Sequence, residues 1–128
     1  MENGIEIFLK QKKIAVVGSF RSQEKVAYRI LLKLLAAGYD VCPVNPTAEI
    51  VAGIKCYSSI AAIPFGIDAV DIVTPPPVTE TVIAECIKKN IKNIWMQPGA
   101  ESKKAIEICE KNGLNFTYGA CLMIEIDR

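Results

Sequence analysis

The residues best suited to chemistry form a short loop, Gly18-Ser19-Phe20-Arg21-Ser22, between an apolar β-branched run and a segment with helical periodicity. A glycine at such a turn lets a ligand approach the backbone, and the N-terminus of the next helix directs N–H groups and a partial positive charge at an anion. Arg21 and Lys25 offer charge-assisted hydrogen bonds to a phosphate. The loop therefore predicts a phosphate site, although an ordinary strand-to-helix turn with two solvated cations has the same pattern.

Three further segments follow apolar runs and are rich in proline: Asn45-Pro46, Thr74-Pro75-Pro76-Pro77-Val78 and Gln97-Pro98-Gly99. Proline rings present a flat, preorganised surface that suits an adenine ring or a flexible alkyl arm. They also end strands, because proline cannot donate to a β-ladder, and this is the structural alternative. Gln97 and Gly99 offer an amide and an exposed backbone N–H. Together these segments predict a ligand surface next to the phosphate loop.

No histidine occurs in the 128 residues. Its absence removes the usual general base near neutral pH, the commonest metal ligand and every Ser-His or Cys-His nucleophile pair. Catalysis by carboxylate, lysine or tyrosine side chains stays open. We therefore expect a ligand-binding protein with no evident catalytic residue and no metal site.

Charge and cysteine usage limit the partners and the compartment. Lys and Arg total 15 against 14 Asp and Glu, which gives a net charge of +1, so the basic excess of a nucleic-acid-binding protein is missing. The sequence lacks both a signal-peptide pattern and an uncharged run of about 20 residues, the length that a membrane helix requires. An odd number of widely spaced cysteines without a CxxC pair is typical of reduced thiols, and we expect a cytoplasmic protein. The cysteines are Cys42, Cys56, Cys86, Cys109 and Cys121.

Strands and helices alternate from residue 13 to the end of the chain. Strands are predicted over residues 13–17, 40–44, 55–57, 69–74, 93–96 and 115–118. Helices are predicted from 24 to 37, after Thr79 and after Ser102, with a brief one capped by Ser58 or Ser59. Strands joined by helical crossovers run parallel, and helices with one apolar stripe cover both faces of the sheet. The expected fold is α/β: a single Rossmann-like, doubly wound domain over 1–128, with 1–12 as an N-terminal extension. Its mostly parallel sheet has five to six strands, in the order 3-2-1-4-5-6.

Ligands of such folds bind at the carboxyl ends of the strands, beside the first strand. A dinucleotide is the natural candidate, but the G-x-G-x-x-G pattern of NAD(P) sites is absent after Gly18. An NAD site also requires an acid at the end of the second strand. This sequence has Val44-Asn45-Pro46 there and places Asp40 at the opposite end. An NAD(P)-binding protein is therefore the weaker alternative.

Short motifs occur through the chain in a characteristic order. They are Val16-Val17-Gly18 with Tyr28-Arg29, Gly38-Tyr39, Pro43-Val44-Asn45-Pro46, Tyr57 with Ser59, Ile63-Pro64, Val70-Asp71-Ile72-Val73, Trp95-Met96-Gln97-Pro98-Gly99, and Cys121 with Ile124-Glu125. Their order and spacing resemble the single-domain CoA-binding proteins, a family related to the N-terminal CoA-binding domain of the succinyl-CoA synthetase alpha subunit. The resemblance extends over about residues 12 to 126, nearly the whole chain.

The resemblance implies that coenzyme A (CoA) lies across the carboxyl ends of the strands. Segment 74–78 is similar to the segment that contacts CoA in the synthetase subunit. Two departures stand out: a bulky residue occupies position 20 of the loop, and the C-terminal motif lacks the family's proline and histidine. The other implied contacts are Gly18, Ser19 and Phe20 at the phosphates, Arg21 and Lys25 as charges, and Asn45 and Pro46 beside the nucleotide.

Non-catalytic binding of CoA or acyl-CoA is therefore the predicted function, with a small molecule rather than nucleic acid or a membrane as the partner. Two alternatives besides NAD(P) binding stay open. One is a subunit of an acyl-CoA ligase-type enzyme that acts with a partner chain. The other is a redox protein in which Cys121, after the last strand and Gly119, exchanges disulfides with the CoA thiol. A homo-oligomer and a partner protein are both compatible with the sequence.

Overall fold

A five-stranded parallel sheet forms the centre of the computed structural model, which describes residues 4–128. The strands of the chain are β1 (Lys13–Val17), β2 (Asp40–Val44), β3 (Ile50–Val51), β4 (Ile54–Lys55), β5 (Ala69–Ile72), β6 (Asn93–Met96) and β7 (Asn115–Tyr118). The order across the main sheet is β2-β1-β5-β6-β7, and β3 with β4 forms a separate antiparallel hairpin. The central strands β1 and β5 are buried along almost their whole length because both faces of the sheet are covered.

Helices cover the two faces of the sheet. They are α1 (Gly4–Leu9), α2 (Val26–Ala36), α3 (Pro76–Lys88), α4 (Lys103–Lys111) and α5 (Leu122–Glu125). The first, second and fifth pack on one face, around Val16 and Trp95, whereas α3 and α4 pack on the other, around Val17 and Met96. No helix within residues 4–128 is long and apolar enough to cross a membrane. The predicted α/β, Rossmann-like fold with a parallel sheet is confirmed.

The third predicted strand, over residues 55–57, is wrong in its extent. Only Tyr57 pairs with β2, through one parallel bridge to Val44. The chain before it instead folds into the β3–β4 hairpin, whose turn residues Ala52 and Gly53 have φ angles of 52° and 76°. Two consecutive positive φ angles are the signature of a two-residue hairpin turn. The predicted order 3-2-1-4-5-6 thus holds for five strands, and the sixth is reduced to a bridge.

Local capping separates the correct helix predictions from the incorrect ones. Ser102 caps α4 as predicted, since its hydroxyl accepts a hydrogen bond from the Ala105 N–H at 3.0 Å. Thr79 does not cap α3, because that helix begins three residues earlier at Pro76, where proline is well tolerated. The predicted short helix after Ser58 or Ser59 is absent within the described residues, and Ser59 instead closes a turn through the Ala62 N–H.

Asp71, in the middle of β5, is a fully buried carboxyl group. It lies between Val16 and Trp95 on the neighbouring strands, and neither carboxylate oxygen has a hydrogen-bond partner within residues 4–128. Burial raises the pKa of Asp71 well above its ordinary value of 3.8. The folded protein therefore holds this proton at pH values where the unfolded chain has lost it.

Asp71→Asn is expected to stabilise the protein at neutral pH. The wild type loses stability as pH rises above about 4, because folding then requires the uptake of a proton by Asp71. The asparagine variant lacks this penalty, so its free energy of unfolding at pH 7 should be higher by on the order of 1 kcal/mol or more. Denaturant unfolding between pH 4 and 8 measures the difference. Asp40→Asn, at an exposed carboxylate, is the matched control, and a difference between Asp71→Asn and wild type that did not vary with pH would contradict this account.

Candidate functional site

The loops that follow β1 and β2 form a cleft at the carboxyl edge of the sheet. Because β2 lies on one side of β1 and β5 on the other, this edge is the point where the strand order reverses. The cleft has a volume of about 440 Å³, and its walls are Ser19, Phe20, Arg21 and residues 45–48. Five of the sequence-predicted site residues therefore come together here: Ser19, Phe20, Arg21, Asn45 and Pro46.

Gly18 and Asn45 fix the backbone of this cleft. A Cβ at Gly18 would lie 2.6 Å from the Ala27 Cβ and 3.0 Å from the Val73 carbonyl oxygen, so only glycine allows the loop to pass between α2 and the end of β5. The Asn45 side-chain amide donates to the Gly18 carbonyl at 2.6 Å, and its oxygen accepts from the Thr47 N–H at 2.9 Å. Asn45 is thus a positioning residue that joins the two loops.

The N-terminus of α2 opens toward solvent beside this cleft. Lys25 occupies the N-cap position without forming a side-chain cap, and the first N–H groups of a helix have no acceptor within the helix. Arg21 and Lys25 are exposed, and neither side chain forms a hydrogen bond or ion pair with another residue in the range 4–128. Glu24 adds one exposed carboxylate to the same loop. The loop can therefore bind an anion with two cations and uncapped backbone donors.

The bulk of Phe20 does not obstruct the loop. Its side chain is only 8% exposed and packs edge-to-face on Tyr28, with ring centroids 6.3 Å apart. The aromatic ring therefore belongs mainly to the core. Its burial explains how the loop accommodates a side chain of this size.

A second cleft, of about 250 Å³, lies between the loops after β5 and β6. Thr74 and Pro75 form one wall, with Gln97 and Gly99 on the other. The first turn of α3 next to it has no N–H to offer a phosphate: positions 76 and 77 are prolines, and the N–H groups of Val78 and Thr79 both donate to the Pro75 carbonyl. This cleft therefore suits an uncharged, slender group. The predicted residues Pro76, Pro77 and Val78 continue from its wall into the first turn of α3.

The Gln97 side chain and the Gly99 N–H both form hydrogen bonds within the protein. The Gln97 side chain is 2% exposed; its oxygen accepts from the Leu122 N–H at 3.0 Å and its nitrogen donates to the Cys121 sulfur at 3.4 Å. The Gly99 N–H donates to the Glu101 carboxylate at 2.9 Å. Both groups are therefore engaged within the protein. Gln97 attaches the start of α5 to β6, and the predicted contact of Gln97 and Gly99 with a ligand remains a prediction.

The cysteine thiols differ in exposure. Burial raises the pKa of Cys42 and of Cys109 to about 11 and also raises the pKa of Cys56 and Cys86, so these four thiols stay protonated at neutral pH. Cys121 is half-buried at the N-cap position of α5. Its proposed redox role remains a prediction.

One part of this edge was not predicted from the sequence. The β3–β4 hairpin and the segment after it enclose a further cavity of about 790 Å³ that shares residues 46–48 with the first cleft. The available signal was Ala52-Gly53 between the short segments Ile50-Val51 and Ile54-Lys55, a pattern that favours a tight hairpin only if both turn residues take positive φ.

A doubly wound parallel sheet with ligand-sized clefts at its switch point defines a Rossmann-like α/β domain. Within this class, a family described as the CoA binding domain matches residues 12–127, and the chain belongs to that family. The family expected from the short sequence motifs is thereby confirmed.

Relatives of two kinds share this domain. An ADP-forming acetate–CoA ligase II of Archaeoglobus fulgidus is 33% identical over 80% of this chain, which spans only 17% of that protein's length. The uncharacterized protein YneT of Bacillus subtilis is 27% identical over 93% of this chain and 88% of its own length. Among solved structures, a hypothetical protein from Pyrococcus horikoshii is 38% identical over 98% of this chain and 88% of its own, with a TM-score of 0.92. The domain thus occurs both in small proteins and within long ligases.

Proposed function

We propose that this protein binds CoA or acyl-CoA at the carboxyl edge of its sheet without transforming it. The observation that carries the proposal is the uncapped N-terminus of α2, flanked by Arg21 and Lys25, which opens beside the 440 Å³ cleft of a CoA-binding family member. CoA contains a pyrophosphate, and at this place two exposed cations and uncapped backbone donors lie together.

The arrangement of the clefts supports an extended CoA. We place the pyrophosphate at Gly18, Ser19 and Arg21. The nucleotide then lies on the β2 side, flanked by Asn45 and Pro46. The pantetheine arm then runs past Gly18 toward the 250 Å³ cleft, which Thr74 and Pro75 line and beside which the first turn of α3 offers no N–H to a phosphate. Val73 connects the two regions, since it contacts the Gly18 position and also lines this narrower cleft.

An NAD(P) ligand fits this site less well. A carboxylate at the end of β2 normally binds the ribose hydroxyls of NAD. That position holds Asn45, whose amide nitrogen already donates to the Gly18 carbonyl. Asp40 is the first residue of β2 and lies at the amino end of the strand, opposite the carboxyl edge that Asn45 follows.

 Asp40 therefore cannot serve as the ribose acid, and CoA is favoured over NAD(P).

A subunit of a ligase-type enzyme is the second candidate. The similarity to the acetate–CoA ligase of Archaeoglobus fulgidus, which contains a similar domain within a much longer chain, supports this candidate. In that case the present chain would supply CoA binding, and a partner chain would supply the catalytic groups.

The five cysteines are all free thiols within the described residues, which supports our further proposal that the protein works in a reducing compartment such as the cytoplasm.

Native mass spectrometry together with a turnover assay tests this function. The purified protein should retain one CoA per chain, and it should leave acetyl-CoA unchanged when ADP and phosphate are added. Consumption of acetyl-CoA by the chain alone would contradict non-catalytic binding. Consumption that requires a second polypeptide would instead support the ligase-subunit candidate.

A further inference from the structure

The cavity beyond the loop after β2 is larger than either cleft assigned to CoA above. Its volume is about 790 Å³, and Pro46, Thr47 and Ala48 form the wall that it shares with the 440 Å³ cleft. The opposite side is built by the β3–β4 hairpin and by Cys56, Tyr57 and Ser58. A ligand bound at the phosphate loop can therefore extend directly into it.

A cation is held at the wall of this cavity. The Lys55 ammonium lies 5.1 Å from the centroid of the Tyr57 ring, within the range of a cation–π interaction. The Tyr57 ring is in turn packed edge-to-face on Phe65, with centroids 5.8 Å apart. Glu49 lines the same cavity and adds a carboxylate to it. The cavity thus combines apolar surface from Pro46 and Tyr57 with one positioned cation and one anion.

The chemistry of CoA assigns its two halves to different spaces. The adenosine half is bulky and carries a phosphate on the ribose 3′ oxygen, whereas the pantetheine arm is slender and uncharged. The narrow cleft beside Pro75 lacks phosphate donors in the adjacent turn of α3, while the larger cavity contains Lys55. We infer that this cavity receives the 3′-phosphorylated adenosine and that Lys55 recognises its 3′-phosphate, with Glu49 weakening the attraction. The inference rests on the proposed function.

Calorimetric titration with CoA and with 3′-dephospho-CoA tests the role of Lys55. The wild type should bind CoA more tightly than dephospho-CoA, and Lys55→Ala should weaken CoA binding about three- to tenfold, as expected for one partly solvated charge contact. The affinity for dephospho-CoA should stay unchanged. Glu49→Gln should increase the preference for CoA, and Lys55→Arg should retain it. Lys92→Ala removes an exposed lysine before β6, at the opposite edge of the sheet, and is the matched control.

The outcomes separate this inference from the proposed function. Equal weakening of both ligands by Lys55→Ala, or an unchanged preference for CoA, would overturn the assignment of Lys55 and leave CoA binding intact. A wild-type protein that bound neither ligand would overturn the proposed function itself. Thermal unfolding of each variant checks that Lys55, which is exposed on β4, has been replaced without loss of the fold.

Discussion

Gly18→Val is expected to abolish CoA binding and to lower the free energy of unfolding by about 1–3 kcal/mol, the usual cost of overpacking. Even a single Cβ at this position would approach the Ala27 Cβ to 2.6 Å and the Val73 carbonyl oxygen to 3.0 Å. The loop after β1 would have to move away from α2 and β5, and the cleft beside Ser19 would change shape. Calorimetry with CoA and denaturant unfolding measure the two effects.

Gly66→Val is the matched control for this substitution. Gly66 is exposed, and a Cβ there would meet no atom within 4 Å. Its replacement should change the free energy of unfolding by no more than about 0.5 kcal/mol and leave the affinity for CoA unchanged. If Gly18→Val bound CoA as tightly as this control, the close approach of the loop would have no part in ligand binding.

The double variant Arg21→Ala, Lys25→Ala is expected to weaken CoA binding by at least tenfold at low salt. Each charge-assisted hydrogen bond to a phosphate contributes about 1.5–3 kcal/mol when desolvated and less at an exposed site, and both side chains are exposed. The dependence of affinity on salt should also become flatter, because fewer charges meet the ligand. Titration with CoA at several ionic strengths measures both changes.

Lys88→Ala, Lys92→Ala changes the net charge by the same amount away from this edge and is the matched control. Both lysines are exposed, one at the end of α3 and the other before β6. The control should bind CoA like the wild type. If the Arg21 and Lys25 variant did so as well in low salt, these two residues would be solvated surface rather than phosphate ligands.

The parallel sheet could be predicted because its strands are recognisable from the local pattern of apolar residues. Continuous apolar runs such as Ile14 to Val17, separated by long amphipathic segments, leave few arrangements other than a parallel sheet with helices on both faces. The Ser102 cap could also be predicted from local sequence, because a serine before a helical segment accepts a hydrogen bond from the backbone N–H three residues later, here that of Ala105.

The short elements could not be predicted in this way. Helices α1 and α5 have six and four residues, too few for a periodic pattern, and such short helices depend on tertiary packing. In α1 that packing is provided by Phe8 against Trp95, with ring centroids 5.2 Å apart. The β3–β4 hairpin likewise depends on Ala52, a residue that rarely adopts a positive φ.

At the site, the sequence indicated which loops meet but not how their groups are used. Gly18 and Arg21 could be located because parallel strands bring their carboxyl ends to one edge. The hydrogen bond from Asn45 to Gly18 and the burial of Gln97 under α5 both join residues more than 20 positions apart in the chain. Such pairings depend on the register between strands, which no local pattern in this sequence specifies.

Titration calorimetry of the wild-type protein with CoA and with NAD, under the same conditions, tests the central claim most directly. The expected result is a dissociation constant for CoA in the micromolar range or tighter, roughly −8 kcal/mol or better, with one site per chain and NAD bound at least tenfold more weakly. Absence of CoA binding, equal affinity for the two ligands, or a preference for NAD would contradict it.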